Sequence, residues 1–332
     1  MKIYGEKKGS DPFFFGDGMA GAEFALIDWI RRQPGARAAA GAGVRVGIGD
    51  DMAVLEVGGE GVLVTTDLLL EGVHFDLARA TLEQVGYKAM AASLSDCAAM
   101  AAEPWCAVVS VALTAEAGEA AARRLYEGLA AAARRYGCPL VGGDTTSWER
   151  PLAVNVTMLA RAKGVEPVLR SGAKARDAVF VTGELGGSLA GRHLEFEPRV
   201  AEARQLAQMV RLHAMIDVSD GLSQDLDHIC QESQVAAVIE AAAVPVSAAA
   251  RAGELAGGKP ALEAALGDGE DFELLFCVGA EDAERLLREW PGVSPVGLTR
   301  IGTIVERREQ GRLWLRRGGR EEVLAPRGWK HL

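Results

Sequence analysis

The chain has 332 residues, is 49% hydrophobic and 25% charged, and carries a net charge of −10. That length exceeds one ordinary core and points to two domains, and the composition is that of a globular protein. The acidic balance excludes holding nucleic acid by bulk electrostatics. An anionic substrate must be met through cations or a few placed basic residues.

Residues 1–20 hold Lys2, Lys7, Lys8 and Phe13-Phe14-Phe15. Their apolar stretch is too short for a signal peptide, and Met19 offers an alternative start. They are set aside as an N-terminal extension or cloning remnant. Glu23 to Ile30 reads as a short helix stopped at Pro34-Gly35, followed by an Ala/Gly-rich loop over 36–43. Val44–Ile48 reads as a strand, Gly47-Ile48-Gly49-Asp50-Asp51 as a glycine turn with two adjacent carboxylates, and Ala53–Val57 as a strand. Adjacent carboxylates repel unless protons or a cation intervene, although a lone Gly-Asp-Asp is also ordinary turn chemistry.

Gly61–Asp67 reads as a buried strand ending on Asp67. Thr81-Leu82-Glu83-Gln84 has the capping-box pattern and opens a long helix. That helix carries Asp96 on an Ala- and Met-rich surface, where Asp is a poor interior residue. Cys106–Leu113 is a predicted strand, followed by a helix capped by Thr114 and ending at Tyr136-Gly137. Leu140-Val141 runs into Gly142-Gly143-Asp144-Thr145-Thr146, and Leu152–Ala160 is a strand.

The Lys/Arg/Gly/Pro-rich stretch 161–176 marks the boundary between a domain at 21–161 and one at 162–332. Ala178–Thr182 restarts as a strand into the glycine loop 183–188 and a helix. The strand before Asp217-Val218-Ser219-Asp220-Gly221 repeats the earlier pattern, and a helix covers 222–231. A strand is read at 235–239, another at 272–278, a helix at 280–289, and short strands at 296–305 and 313–315. Strands and helices mix without strict β-α-β alternation. The fold class is therefore α+β or mixed α/β in two domains, not a doubly wound sheet.

The candidate ligands are Asp51, Asp67, Asp96, Asp144, Asp217 and Asp220, with Thr65, Thr66 and Ser219 adding hydroxyl or carbonyl oxygens. Oxygen donors without His or Cys suit a hard cation such as Mg²⁺ or Mn²⁺. The cysteines at 97, 106, 138, 230 and 277 have no Cys-x-x-Cys spacing and read as free buried thiols in a reducing cytoplasm. No apolar run reaches membrane-spanning length. The expected location is cytoplasmic, with no membrane or nucleic-acid partner. P-loop, protein-kinase and Gly-x-Ser-x-Gly motifs are absent.

Gly47–Asp51, Thr65-Thr66-Asp67, His74-Phe75, Ala92-Ser93-Leu94-Ser95-Asp96, Gly142–Thr146, Arg170-Ser171-Gly172-Ala173-Lys174, Asp217–Leu222 and Gly269-Glu270-Asp271-Phe272-Glu273 fall in order along nearly the whole chain. Together they resemble the thiamine-monophosphate kinase family. The resemblance implies the two-domain fold of aminoimidazole ribonucleotide synthetase, with N-terminal domains paired in a homodimer around a β-barrel. It implies transfer from ATP to thiamine monophosphate, with Asp51, Thr65, Thr66, Asp67, Asp96, Asp144, Asp217 and Asp220 around several Mg²⁺ ions. Gly143, Asp144, Arg170 and Ser219 would contact ATP, and His74 and Glu270 the thiamine phosphate. The family often has Gly-Gly-Glu-Asp where this chain has Asp268-Gly269-Glu270-Asp271. Its C-terminal aromatic aligns with Pro326, so either the tail shifts and Trp329 packs on the substrate rings, or that contact is lost.

The implied acceptor is a phosphate monoester, largely dianionic near neutral pH, and so needs no general base. The obstacle is repulsion by the triphosphate, about 4 kcal/mol for two unit charges 4 Å apart at an effective dielectric of about 20. Cations between them would offset it and align an in-line transfer without a phosphoenzyme. Rival readings are an aminoimidazole ribonucleotide synthetase, a selenophosphate synthetase or a hydrogenase-maturation carbamoyl dehydratase of the same superfamily, a metal-dependent phosphatase, and a catalytically dead binding protein. Selenophosphate synthetases carry a reactive Cys near the N-terminus, whereas the first here is Cys97. The maturation proteins end in Cys, whereas this chain ends in His331-Leu332.

Overall fold

The computed structural model describes residues 22–33 and 43–329; the extension at 1–20, most of the 36–43 loop and the last three residues lie outside this range. Helix α1 (Ala22–Arg31) precedes β1 (Val44–Val46), β2 (Ala53–Val57), β3 (Glu60–Leu70), α2 (Leu82–Ala99), β4 (Glu103–Leu113), α3 (Gly118–Arg135), β5 (Leu140–Ser147) and β6 (Ala153–Arg161). These strands form one sheet in the order β1-β2-β3-β6-β4-β5, antiparallel except for the β4–β5 edge pair. The Thr81 hydroxyl accepts from the Gln84 N–H and the Gln84 side chain accepts from the Thr81 N–H, so the capping box starts α2 as expected. Thr114 makes no side-chain cap; a 3₁₀ turn over Ala115–Ala117 intervenes before α3.

Helices α2 and α3 cross at unusually short range. A Cβ on Gly86 would lie 2.1 Å from the Leu125 carbonyl, and one on Gly128 would lie 1.9 Å from the Glu83 carbonyl. Only glycine at both positions allows the backbones to meet.

The second half contains β7 (Ala178–Thr182), α4 (Val200–Met209), β8 (Leu212–Asp217), α5 (Leu222–Ser233), β9 (Ala236–Glu240), α6 (Ala248–Leu255), α7 (Ala261–Gly267), β10 (Leu274–Val278), α8 (Ala280–Glu289), β11 (Leu298–Val305), β12 (Leu313–Arg317) and β13 (Arg320–Val323). Its sheet runs β13-β12-β9-β11-β7-β10-β8, with β9–β12 as the parallel pair. Alternate residues of β10 go to opposite cores. Leu274, Phe276 and Val278 join the core shared with the first half, while Leu275 and Cys277 join the core under α5. Both faces are thus covered, and β10 is apolar throughout. The sequence reading set no bounds for helices α4, α6 and α7 or strand β13; in α4 the buried residues Val200, Ala203 and Leu206 do recur at helical spacing. The five cysteines are free, and four are buried. Among the described residues, no helix is long and apolar enough to cross a membrane.

Helix α2 lies between the halves and uses two polar faces. Gln84, Tyr87, Lys88, Ala91 and Ser95 recur at helical spacing and meet the second half. Gln84 Nε2 donates to Glu195 at 2.8 Å, the Tyr87 hydroxyl to the Phe196 carbonyl at 3.0 Å, Lys88 Nζ to Glu270 at 2.6 Å and the Ser95 hydroxyl to Asp217 at 2.5 Å. Ala91 packs with the stacked pair Phe196 and Phe272. Ser93 and Asp96 instead face β3.

Candidate active site at the junction of the halves

Three carboxylates from three elements converge. Ligand oxygens of Asp51, Asp96 and Asp217 lie within 4.8 Å of one another. Asp51 comes from the loop before β2, Asp96 from the last turns of α2, and Asp217 from the end of β8. Strand periodicity puts Thr65 and Asp67 on one face of β3, toward α2. The Thr65 hydroxyl donates to Asp96 Oδ2 at 2.5 Å, and the Ser93 hydroxyl donates to Asp67 Oδ2 at 2.5 Å. Thr66 points to the opposite face, where its hydroxyl pairs with Thr157 at 3.0 Å and accepts from Asn155 at 2.9 Å. The period of two that brings Thr65 in takes the Thr66 hydroxyl out.

The acids raise one another's proton affinity. Burial and then repulsion from Asp67, Asp217 and Asp51 push Asp96 well above the usual carboxylate range. Burial and then Asp51 push Asp217 up to about 7. Burial raises Asp67, with the Ser93 hydroxyl opposing it. Asp50 also rises to about 7, first through burial and then through Asp51. Its carboxylate accepts from the backbone N–H of Arg170 at 3.2 Å and of Asp51 at 3.2 Å, which makes it a brace for the loop.

Arg170 forks onto Asp51, with Nη2 to Oδ1 at 2.6 Å and Nε to Oδ2 at 3.2 Å. The residue expected to contact ATP is thus engaged with an expected metal ligand. Ser219 sits beside Asp217, its hydroxyl 3.4 Å from Oδ1. Arg31 of α1 closes the outer side of the opening loop. It pairs with Glu232 of α5 at 2.7 Å, and its guanidinium lies where a Cβ on Gly49 would fall, at 2.6 Å.

Asp220 belongs to a neighbouring group with Asp225 and His228, again within 4.8 Å. Asp225 accepts from the Gly221 N–H at 2.9 Å at the start of α5. Burial, then Asp220 and Asp217, raise it well above the carboxylate range. Burial, then Arg170 and Arg312, lower His228 to about 3, which keeps the ring neutral. Sequence reasoning missed Asp225 and His228 as a pair, although spacing of three on a helix was the available signal. It named Ser93 and Ser95 only as neighbours of Asp96, with no role, and it missed Lys88.

Asp144 is not drawn into the carboxylate cluster. The strand that begins at Leu140-Val141 continues through Gly142–Thr146 as the exposed edge strand β5, and the Thr145 N–H donates to Asp144 Oδ1 at 2.9 Å. Gly143 is required by packing, since a Cβ there would lie 2.0 Å from the Val109 carbonyl of β4. Gly143 and Asp144 line a groove of about 350 Å³ with Tyr126, Leu129 and Leu140.

The expected substrate end lies across α2. His74 accepts from the Leu70 N–H through Nδ1 at 3.0 Å, and its carbonyl accepts from Lys88 at 2.5 Å. Glu270 takes the other side of the same ammonium. Trp329 is half-buried, and its N–H donates to the Asp220 carbonyl at 2.9 Å, which ties the tail to the acidic loop. The glycine loop 183–188 is not open to a phosphate. Its Gly186 and Gly187 N–H groups donate to Asp271 at 2.8 Å and Asp268 at 2.9 Å.

Comparison with known proteins agrees with this arrangement. The profile of the AIR synthase related protein N-terminal domain matches residues 49–162, and that of the C-terminal domain matches 152–314. A thiamine-monophosphate kinase of Rhodopirellula baltica is 43% identical over 298 residues, covering 87% of this chain and 92% of that protein. The chain belongs to the thiamine-monophosphate kinase family. The thiamine-monophosphate kinase of Bacillus subtilis is 35% identical, covering 87% of this chain and 94% of its own length. The solved structure described as "AaThiL complexed with AMPPCP and TMP" superposes with a TM-score of 0.77 at 31% identity, over 96% of this chain and all of that one. The two-domain mixed α/β fold of the AIR synthase relatives, expected from the sequence, is the fold of this family member.

Proposed function

We propose that this kinase-family member transfers the γ-phosphoryl group of ATP to thiamine monophosphate, giving ADP and thiamine diphosphate. A single observation carries the reading: a triad of converging carboxylates, buried Asp51 and Asp217 with half-buried Asp96, in a chain whose relatives are thiamine-monophosphate kinases. The AaThiL complex supports both substrates, since AMPPCP is an analogue of ATP whose terminal phosphate cannot be transferred. A phosphate oxygen of the acceptor attacks the γ-phosphorus, and the bond to the ADP oxygen breaks.

Carboxylate oxygens clustered at buried and half-buried positions fit a hard divalent cation. Asp51, Asp67, Asp96 and Asp217 would hold Mg²⁺ at the first cluster and Asp220 with Asp225 at the second. When bound, such ions neutralise the phosphates that must approach each other. The protein residues hold that charge in place: Ser93, Ser95 and Thr65 fix three of the carboxylates through their hydroxyls. Arg170 offsets Asp51 and supplies a fork suited to a phosphate. His74, Glu270 and Trp329 would meet the thiamine rings. Asp144 and Gly143, distant in role from the triad, line the groove beside β5. The exposed β5 edge, with Val141 on the strand and Trp148 just after it, is where a second copy would pair to give the homodimer barrel.

The test is ADP release measured with thiamine monophosphate, thiamine and no acceptor in parallel. Release that requires thiamine monophosphate supports the reading. Activity with thiamine alone, phosphate release without an acceptor, or a trapped phosphoenzyme would overturn it.

A further inference from the structure

We propose that Lys88 is a positioning residue for thiamine monophosphate, setting the Glu270 carboxylate and the His74 segment in one geometry. This rests on the reading of His74 and Glu270 as substrate contacts. Lys88 sits on α2 and is 1% exposed. Its Nζ donates to the His74 carbonyl at 2.5 Å and to Glu270 Oε2 at 2.6 Å. One ammonium therefore joins a loop of the first half to a loop of the second.

The Glu270 loop needs such a hold. Glu270 and Phe272 have φ of +54° and +51°, a left-handed backbone region that a side-chain-bearing residue keeps only when its surroundings hold it there. The neighbours pin the backbone. The Glu270 N–H donates to the Ser219 carbonyl at 2.6 Å, and the Ser188 hydroxyl donates to the Glu270 carbonyl at 2.6 Å. Asp271 accepts from Arg192 at 2.8 Å, and Glu273 accepts from Arg199 at 2.6 Å and 2.7 Å. Phe272 stacks on Phe196 with centroids 3.9 Å apart. All of these come from the second half and fix where the loop runs. The carboxylate of Glu270, on a side chain 18% exposed, is aimed by Lys88 from the first half.

A purely structural tie between the halves would weaken the fold and affect both substrates alike. A positioning role affects one. Initial rates are measured with each substrate varied in turn for the wild type, Lys88→Met, Lys88→Arg, Glu270→Gln and the Lys88→Met/Glu270→Gln double variant. Lys88→Met is expected to raise the KM for thiamine monophosphate about tenfold or more and to leave the KM for ATP within about twofold. Lys88→Arg, which keeps the charge, is expected to recover most of that loss. The double variant is expected to exceed Glu270→Gln in KM for thiamine monophosphate, through the His74 segment, but by less than the factor Lys88→Met gives alone, because part of the Lys88 effect runs through Glu270. An unchanged KM for thiamine monophosphate in Lys88→Met, or a double variant whose KM rises by the full product of the two single increases, would overturn the proposal. If Lys88→Met fails to fold because it leaves the Glu270 carboxylate unpaired, the double variant removes both charges, and a KM for thiamine monophosphate no higher than that of Glu270→Gln overturns the proposal. A wild type that releases no ADP in response to thiamine monophosphate defeats the functional reading itself, which separates the two failures.

Discussion

Mg²⁺ is expected to stabilise this protein strongly at pH 8 and weakly at pH 5.5. The ligand oxygens of Asp51, Asp96 and Asp217 lie within 4.8 Å of one another. At that range two unit charges repel by about 3 kcal/mol with an effective dielectric of about 20. Ionising all three sets three such repulsions, on the order of 10 kcal/mol, against the fold before Arg170 offsets part of it. Asp217 accordingly titrates at about 7, raised first by burial and then by Asp51. A carboxyl with a raised folded pKa binds its proton more tightly in the native state than in the unfolded chain. Stability of the metal-free protein therefore falls as pH rises from about 4 to about 7.

A cation takes over from those protons once they have left. At about a hundred times its Kd, a ligand specific to the native state adds about 2.7 kcal/mol, or about 5 °C in Tm for a chain of this size. Differential scanning calorimetry with and without millimolar MgCl₂ at the two pH values reads the effect directly. Asp217→Asn removes one repelling carboxylate and is expected to reduce the Mg²⁺-induced rise at pH 8 by more than about half. Equal rises at both pH values, or an undiminished rise in Asp217→Asn, would refute the reasoning.

Three substitutions probe the same site and its frame. Asp51→Asn is expected to lower kcat by at least about a hundredfold with an unchanged far-UV circular dichroism spectrum; near-normal kcat at saturating Mg²⁺ would remove Asp51 from the site. Ser95→Ala deletes the hydroxyl held against Asp217 and is expected to raise the Mg²⁺ concentration for half-maximal rate about ten- to a hundredfold, read from initial rates across a Mg²⁺ titration. Gly86→Ala drives a methyl into the Leu125 carbonyl and is expected to cost at least about 2 kcal/mol in urea unfolding; an unchanged urea midpoint would contradict the close crossing of α2 and α3.

What was legible in the sequence was what local chemistry specifies. The Thr81–Gln84 box, the Gly-Asp turn before β2 and the apolar runs of β7 and β10 each declare themselves within a few residues. Asp51, Asp96 and Asp217 were legible because a carboxylate beside buried neighbours is costly and so calls for a partner. The rest depended on distance in the chain. Asp144 shares the Gly-Asp grammar of the others, yet its glycines serve strand packing against Val109, which only the β4–β5 register reveals. Thr65 and Thr66 look equivalent until the strand assigns them to opposite faces. Nothing local to glycine loop 183–188 shows that its N–H groups are taken by Asp268 and Asp271 from about eighty residues away.

The interior Asp of α2, the oddest residue in the sequence, belongs to a helix that serves as a ruler. Its Asp96 and its Ser93 and Ser95 hydroxyls define the carboxylate end of the site, and Lys88 defines the other end through Glu270 and His74. Lys88 and Ser95 are seven residues apart, about 10 Å along the axis at about 1.5 Å per residue. Thiamine monophosphate has its phosphate and its pyrimidine at opposite ends, separated by a ring and a short chain, a span of the same order. An acceptor phosphate at the carboxylate end could then coexist with the ring contacts proposed for Glu270. Both ends lie on one rigid element that also forms the core between the halves. Their separation is fixed by helix rise rather than by loops, and the glycine crossing at Gly86 and Gly128 clamps the first turns of that helix where Lys88 emerges.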